Sequence, residues 1–202
     1  MRDIAFRQQI LTTLLLLGIT FGIWMAAEPL LATPAKWLAH ALLTFWLPNV
    51  IETTIFEPGA LLVVTKFTEV DGIIRMAISG EEGLAFRLNT RLVSYGLPFY
   101  AALLWGSRIK NPFNTFAWGL FVLWVAMALG LVAMAAKDLM LVMGQPFLAT
   151  VWIPPAAIIA VCYQFSVLLM PTLAPVLLWV LQLRDSPLWK RLENQLQNSR
   201  GA

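Results

Sequence analysis

The chain has 202 residues, of which 59% are hydrophobic and 12% charged, with nine tryptophans and a formal charge of +3. So few charges would leave a soluble surface under-charged, and +3 scattered along the chain is too weak a field for a nucleic-acid binder. A single cysteine, Cys162, excludes an internal disulfide and any CxxC metal or redox motif.

Four uncharged apolar stretches, 8–27, 92–107, 111–136 and 139–183, occupy more than half of the chain. About 20 apolar residues make one helical crossing of a ~30 Å hydrocarbon layer, and in lipid each backbone polar group must be satisfied within its own segment. The expectation is an α-helical polytopic membrane protein with about four transmembrane helices, near 8–29, 91–106, 113–136 and 156–183. The first has Arg2 and Arg7 before it and small residues at Ala26-Ala27. Its apolar core, 10–27, exceeds the ~7–15 residues of a cleaved signal, so 1–32 reads as a retained signal-anchor helix.

Residues 33–90 form the one sizeable segment expected outside the bilayer. Thr33-Pro34 predicts a helix start, a hydroxyl N-cap with proline at the first helical position, and Pro48 the stop. Lys36, His40 and Thr44 share one face, with Trp37, Leu38, Leu42, Phe45 and Trp46 around the rest, the pattern of a helix lying in the membrane interface. The period then changes to two. Asp71-Gly72 tolerates the positive φ values of a type I′ turn, setting Val63, Thr65, Phe67 and Glu69 on one face with Ile74, Met76 and Ile78. A second turn at Gly80-Glu81-Glu82-Gly83 leads to a third strand through Leu84, Phe86 and Leu88, predicting a small extracytoplasmic three-stranded antiparallel β-meander. So small a sheet must cover its apolar face with the interfacial helix, with 139–155, or with another protein.

Residues 91–183 carry the remaining membrane helices. Gly96 and Pro98 interrupt the second crossing. Gly144, Pro146 and Pro154-Pro155 mark 139–155 as a re-entrant or interfacial segment, and 184–202 is a basic tail. Two crossings within 139–183 are the alternative. With four crossings, the N-terminus, the 108–110 loop and the tail hold eight basic against three acidic residues, +5, and the other side six against eight, −2. The positive-inside rule then puts both termini in the cytoplasm.

The stretch Asn89-Thr90-Arg91-Leu92-Val93-Ser94-Tyr95-Gly96-Leu97-Pro98-Phe99-Tyr100-Ala101-Ala102-Leu103-Leu104, with the meander before it, resembles the exosortase H-associated membrane protein family of Gram-negative bacteria. The resemblance implies an inner-membrane accessory of an exosortase, a polytopic enzyme that processes proteins bearing a C-terminal sorting signal. It brings no catalytic residues and no cofactor. The expected partners are the bilayer and another integral membrane protein. The candidate contact residues are Arg87, Arg91, Tyr95, Gly96, Pro98, Ala101 and Ala102. The small ones suit close helix packing, within this chain or against a partner. Arg87 and Arg91 are expected to anchor at headgroups, to pair with Glu81 or Glu82, or to hold a substrate carboxylate.

Two other classes stay open. A cysteine peptidase would have to use Cys162 with His40, the chain's one histidine. However, Cys162 is expected within an apolar helix interior, a setting that disfavours a thiolate, and exosortases order the residues Cys, Arg, His, whereas here His40 precedes Cys162. A transporter or channel would need mid-membrane polar groups, for which Gln164 and the broken 139–155 segment are the hints. One histidine without a carboxylate cluster argues against a metal site.

Overall fold

Three helices set the scale of the computed structural model, which describes residues 2–78, 80–107, 109, 111–149 and 152–183. They are α1 (Arg2–Leu31), α5 (Pro112–Met143) and the rod Ala156–Leu183, and each contains a stretch long and apolar enough to cross a membrane. The last is built from α7 (Ala156–Gln164), a π-helical turn (Phe165–Leu169) and α8 (Met170–Leu183). At 1.5 Å per residue, 28 to 32 residues reach about 42 to 48 Å, enough to cross and emerge. The stretch expected as the second crossing is broken at Tyr95 into a single turn, α3 (Arg91–Ser94), and the 11-residue α4 (Gly96–Gly106). The basic tail at 184–202 lies outside the described residues.

The chain divides into two compact units, Met1–Met25 with Tyr95–Leu123 and Thr172–Ala202, and Ala26–Ser94 with Trp124–Pro171. In the first, helices meet through small residues and through polar tips that lipid could not satisfy. A Cβ on Gly106 would overlap the Thr13 hydroxyl, and one on Gly119 would overlap the Tyr100 hydroxyl. That hydroxyl bonds Gln182 Oε1 at 2.7 Å and Thr115 O at 3.0 Å, while Trp179 Nε1 donates to Ser107 Oγ at 2.6 Å. Tyr100 stacks on Phe116 at 5.7 Å, with Trp105 against the same ring at 4.8 Å.

The second unit holds the sheet. Strands β1 (Ile51–Glu57), β2 (Ala60–Thr65) and β5 (Ala85–Asn89) are antiparallel in the order β1-β2-β5; β3 (Phe67–Val70) and β4 (Ile73–Met76) form a separate hairpin. The three-stranded antiparallel sheet therefore exists, but it is not the predicted meander. Its first strand lies upstream, and the 85–89 strand pairs with β2, Leu61 opposite Leu88, rather than with β4. Pro58-Gly59, with Gly59 at φ +72, closes the β1–β2 turn, where proline and then a positive-φ glycine suit a type II turn. The β3–β4 turn is as expected: Asp71 and Gly72 have φ 52 and 77, with Val70 opposite Ile73. Glu81 holds the hairpin's exit by bonding Arg75 and the Ile78 N–H, contacts that lower its carboxyl pKa.

Helix α2 (Thr33–Trp46) packs on β1 and is the cover this sheet needs. Buried Ala35, Ala39 and Leu43 share its inner face with Lys36, and Trp37 meets Phe56 edge-on at 5.6 Å. The polar Lys36–His40 face turns inward onto the strand, while Trp37 and Phe45 are exposed. Thr33 is not the N-cap: Ala32 is, in a helical conformation, and the Thr33 hydroxyl bonds Pro29 O at 2.8 Å because the chain never leaves the helical region between α1 and α2. Helix α5 runs past Lys137-Asp138 into the segment expected to be re-entrant. It stops at Gly144, before the short α6 (Gln145–Leu148). Trp46 Nε1 then ties the end of α2 to Trp152 O at 3.3 Å.

One close approach in this unit is testable. A Cβ on Gly130 of α5 would sit 2.8 Å from Val93 Cγ1 of α3 and 3.5 Å from Ser166 O of the π-helical turn. Gly130→Ala is expected to destabilise by roughly 1–3 kcal/mol through overpacking, and Val93→Ala should recover part of that loss. Thermal unfolding in detergent measures both; an unchanged Gly130→Ala midpoint would contradict the packing.

Candidate functional site

The polar residues that concentrate at one place begin with Glu28, three residues from the end of α1 and 0% exposed. The Thr90 hydroxyl donates to its Oε1, and its Oε2 has no hydrogen-bond partner among the described residues. Thr90 also sends its backbone N–H to Gly59 O at 3.1 Å, so one residue ties β5's exit to the β1–β2 turn and to α1. Lys36, 2% exposed, donates from Nζ to Glu57 O at 2.7 Å. Burial pushes its ammonium below the usual lysine range, and the Glu28 carboxylate partly opposes that shift. His40 Nδ1 meets Thr54 Oγ1 at 2.9 Å, completing the polar seam between α2 and β1.

Outside this seam lies a depression of about 280 Å3 lined by Pro58, Gly59, Ala60, Arg87, Asn89 and Arg91. Its geometry follows from the strand period. Leu88 points inward and is buried, so Arg87 and Asn89 turn to the opposite face, and Arg91 follows at the first position of α3. Asn89 Oδ1 accepts the Arg91 backbone N–H at 3.0 Å and sets that turn. Arg87 Nε pairs with Glu57 Oε2 at 3.1 Å, and not with Glu81 or Glu82: Glu81 is taken by Arg75, and Glu57 and Arg87 stand on the two strands that flank β2, so the pair reaches across that strand. A Cβ on Gly59 would press Arg91 Nε at 3.3 Å and Glu28 Oε2 at 3.7 Å, so the arginine crosses bare backbone in front of the buried carboxylate.

Arg87 and Arg91 are thus brought together. Of the remaining sequence candidates, Gly96, Pro98, Ala101 and Ala102 are buried and Tyr95 is half-buried at the head of α4, with Pro98 O accepting the Thr20 hydroxyl at 3.0 Å. A small-residue face that the sequence reading missed is Gly18 and Gly22 on α1. Both are exposed, and a Cβ on either meets nothing within 4 Å. The signal was present in Gly18-Ile19-Thr20-Phe21-Gly22, the G-x-x-x-G spacing within an apolar helix. Cys162 lies within the apolar helix α7, on a face not covered by the rest of the chain, and no described contact joins it to His40. Among the described residues no group of three His, Cys, Asp or Glu could hold a metal ion.

The family model described as exosortase H-associated membrane protein matches residues 3–186. No curated protein and no solved structure matches the chain.

The Glu28–Lys36 coupling has a measurable consequence. Lys36→Met should lower stability by roughly 1–3 kcal/mol, by orphaning the Glu57 carbonyl and leaving Glu28 without its neighbouring cation. Lys36→Met with Glu28→Gln should cost less than the sum by at least about 0.5 kcal/mol; additivity would refute the coupling. Because the folded-state pKa of Lys36 is lowered, its charged form costs stability below that pKa. Wild-type stability should therefore rise with pH from that lowered value up to the unfolded lysine value of about 10.4, and Lys36→Met should remove the rise.

Proposed function

The chain belongs to the exosortase H-associated membrane protein family, and on that premise we propose that it is a non-catalytic accessory protein that binds or supports an exosortase-type sorting enzyme in the bacterial inner membrane. The family match over 3–186 is the observation that carries this reading. The partner-facing surface we propose is the open face of α1, where Gly18 and Gly22 let a second helix approach its backbone closely. Leu14, Leu15, Ile19 and Met25 are exposed around them. Gly96, Ala101 and Ala102 serve the chain's own packing in this reading.

The proposed orientation has both termini in the cytoplasm and 33–90 outside. The charge division of +5 against −2 supports it. Four passages are then needed, three by α1, α5 and the α7–α8 rod and the fourth by α3–α4. Residues 91–106 reach about 24 Å as a helix, short of ~30 Å. The burial of Gly96, Leu97, Pro98, Tyr100, Ala102 and Leu104 supports a short passage enclosed by protein.

Two experiments test the proposal. In a Cys162→Ser background, Glu69→Cys should react with an impermeant maleimide in intact cells and Ser199→Cys only after lysis. Labelling of Ser199→Cys from outside would overturn the orientation. Separately, Gly18→Leu with Gly22→Leu should reduce co-purification of an exosortase from native membranes at least about tenfold, a loss of roughly 1.4 kcal/mol, with the folded yield unchanged. Ala102→Leu, at a fully buried position, should instead lower the folded yield. A wild-type protein that reproducibly recovers no exosortase would sink the accessory reading.

A further inference from the structure

We propose that the depression bounded by Pro58, Gly59, Ala60, Arg87, Asn89 and Arg91 holds the phosphodiester group of an anionic phospholipid. Three features of this place carry the inference, and none depends on the exosortase reading. The first is donor chemistry. Two guanidinium groups reach one small hollow, and planar forked donors match the oxygens of a phosphate better than ammonium groups do. Among the described residues Arg87 is tied down by an exposed pair with Glu57, its side chain 68% exposed, and such pairs are weak enough to exchange for a ligand oxygen. Asn89 spends its Oδ1 on the Arg91 backbone, so its amide nitrogen remains as a further donor.

The second feature is the local charge balance. Lys36, Arg87 and Arg91 are three positive groups, and Glu28 and Glu57 two negative ones, so the assembly is short of one negative charge. A phosphodiester supplies one. Glu28 Oε2, without a hydrogen-bond donor among the described residues, and Arg91 Nε both lie close to Gly59, 3.7 and 3.3 Å from where its Cβ would stand, so a buried carboxylate backs the hollow.

The third is depth. Glu28 contacts Thr90, whose N–H is bonded to Gly59, so the hollow lies level with the last turn of an apolar helix, where headgroups begin. Leu30 and Leu92, 76% and 43% exposed, are sequence neighbours of these groups and offer apolar surface for acyl chains. At about 280 Å3 the hollow is near the low end of small-molecule pockets, ~300 Å3, which suits a headgroup and not a whole lipid.

Native mass spectrometry of the full chain in detergent, with phosphatidylglycerol or phosphatidylcholine of matched acyl chains, tests this. Phosphatidylglycerol should be retained preferentially, and each of Arg87→Gln and Arg91→Gln should cut that preference about fivefold, the contribution of one cation at an anionic surface. Arg75→Gln, removing an arginine held by Glu81 elsewhere, should leave it unchanged. Arg91→Lys, which keeps charge but not the fork, should fall between. Arg87→Gln removes an exposed side chain, so it remains informative if Arg91 variants fold poorly. A preference that survives both substitutions overturns the site. Millimolar inorganic phosphate displacing the lipid with the same arginine dependence would reassign the hollow to free phosphate, and displacement by a peptide carboxylate would reassign it to a protein ligand; either result overturns the lipid assignment.

Discussion

Glu28 places a carboxylate in the last turn of a helix whose other surroundings are apolar, and it has no exposed surface through which to keep its water. A buried charge of this kind is tolerated only with partners, and those partners come from distant parts of the chain. Thr90 supplies a hydroxyl from the end of β5, and Lys36 a nearby cation from α2. Satisfying one side chain therefore draws α2, the β1–β2 turn and the start of α3 to the end of α1. Lys36 in turn must satisfy its own donors, and it does so on the Glu57 carbonyl, which fixes α2 across β1. A marginal three-stranded sheet thus gains its cover from the residue that neutralises the helix end.

The same constraint takes a different form in the unit containing α4. There the partnered groups around α4 are uncharged: tyrosine, tryptophan, glutamine and serine tips sit among apolar helices. Each finds another tip or a carbonyl: Tyr100 with Gln182 and Thr115, Trp179 with Ser107. Glycine at 106 and 119 brings the backbones close enough for those short reaches. Packing and hydrogen bonding thus reinforce each other, as expected where burial in lipid gives helices no hydrophobic reason to associate.

What the sequence disclosed about this architecture was mostly local. The Asp71-Gly72 hairpin was legible because a two-residue turn fixes its own register, and the long helices because their composition is uniform. Strand β1 was missed although Ile51 to Phe56 is rich in β-branched residues, since a run beginning three residues after Pro48 reads as loop until Pro58-Gly59 is recognised as a turn. With β1 unseen, Glu57 could not be proposed for Arg87, and the nearer Glu81 and Glu82 took its place. The polar face of α2 was found, but its direction was not. Lys36 and His40 face inward because the sheet offers a carbonyl and a hydroxyl that the interface does not. Which small residues stay open could not be read from type alone, because Gly18 and Gly96 differ in burial and not in chemistry.

The placement of the cations follows from their side chains. A lysine carries a point charge on a flexible stem, so Lys36 can pass through the packed face of α2 and end on a single backbone carbonyl. An arginine in that position would leave several of its five donors unsatisfied. At the rim the requirement reverses. Arg87 and Arg91 stand where water or a ligand can meet the donors that the protein does not use, and their rigid forks cost less ordering per bond formed there. The buried lysine therefore stabilises the fold, while the exposed arginines remain available to bind, and Gly59 separates the two roles by letting Arg91 lie against backbone in front of Glu28 without joining the buried network.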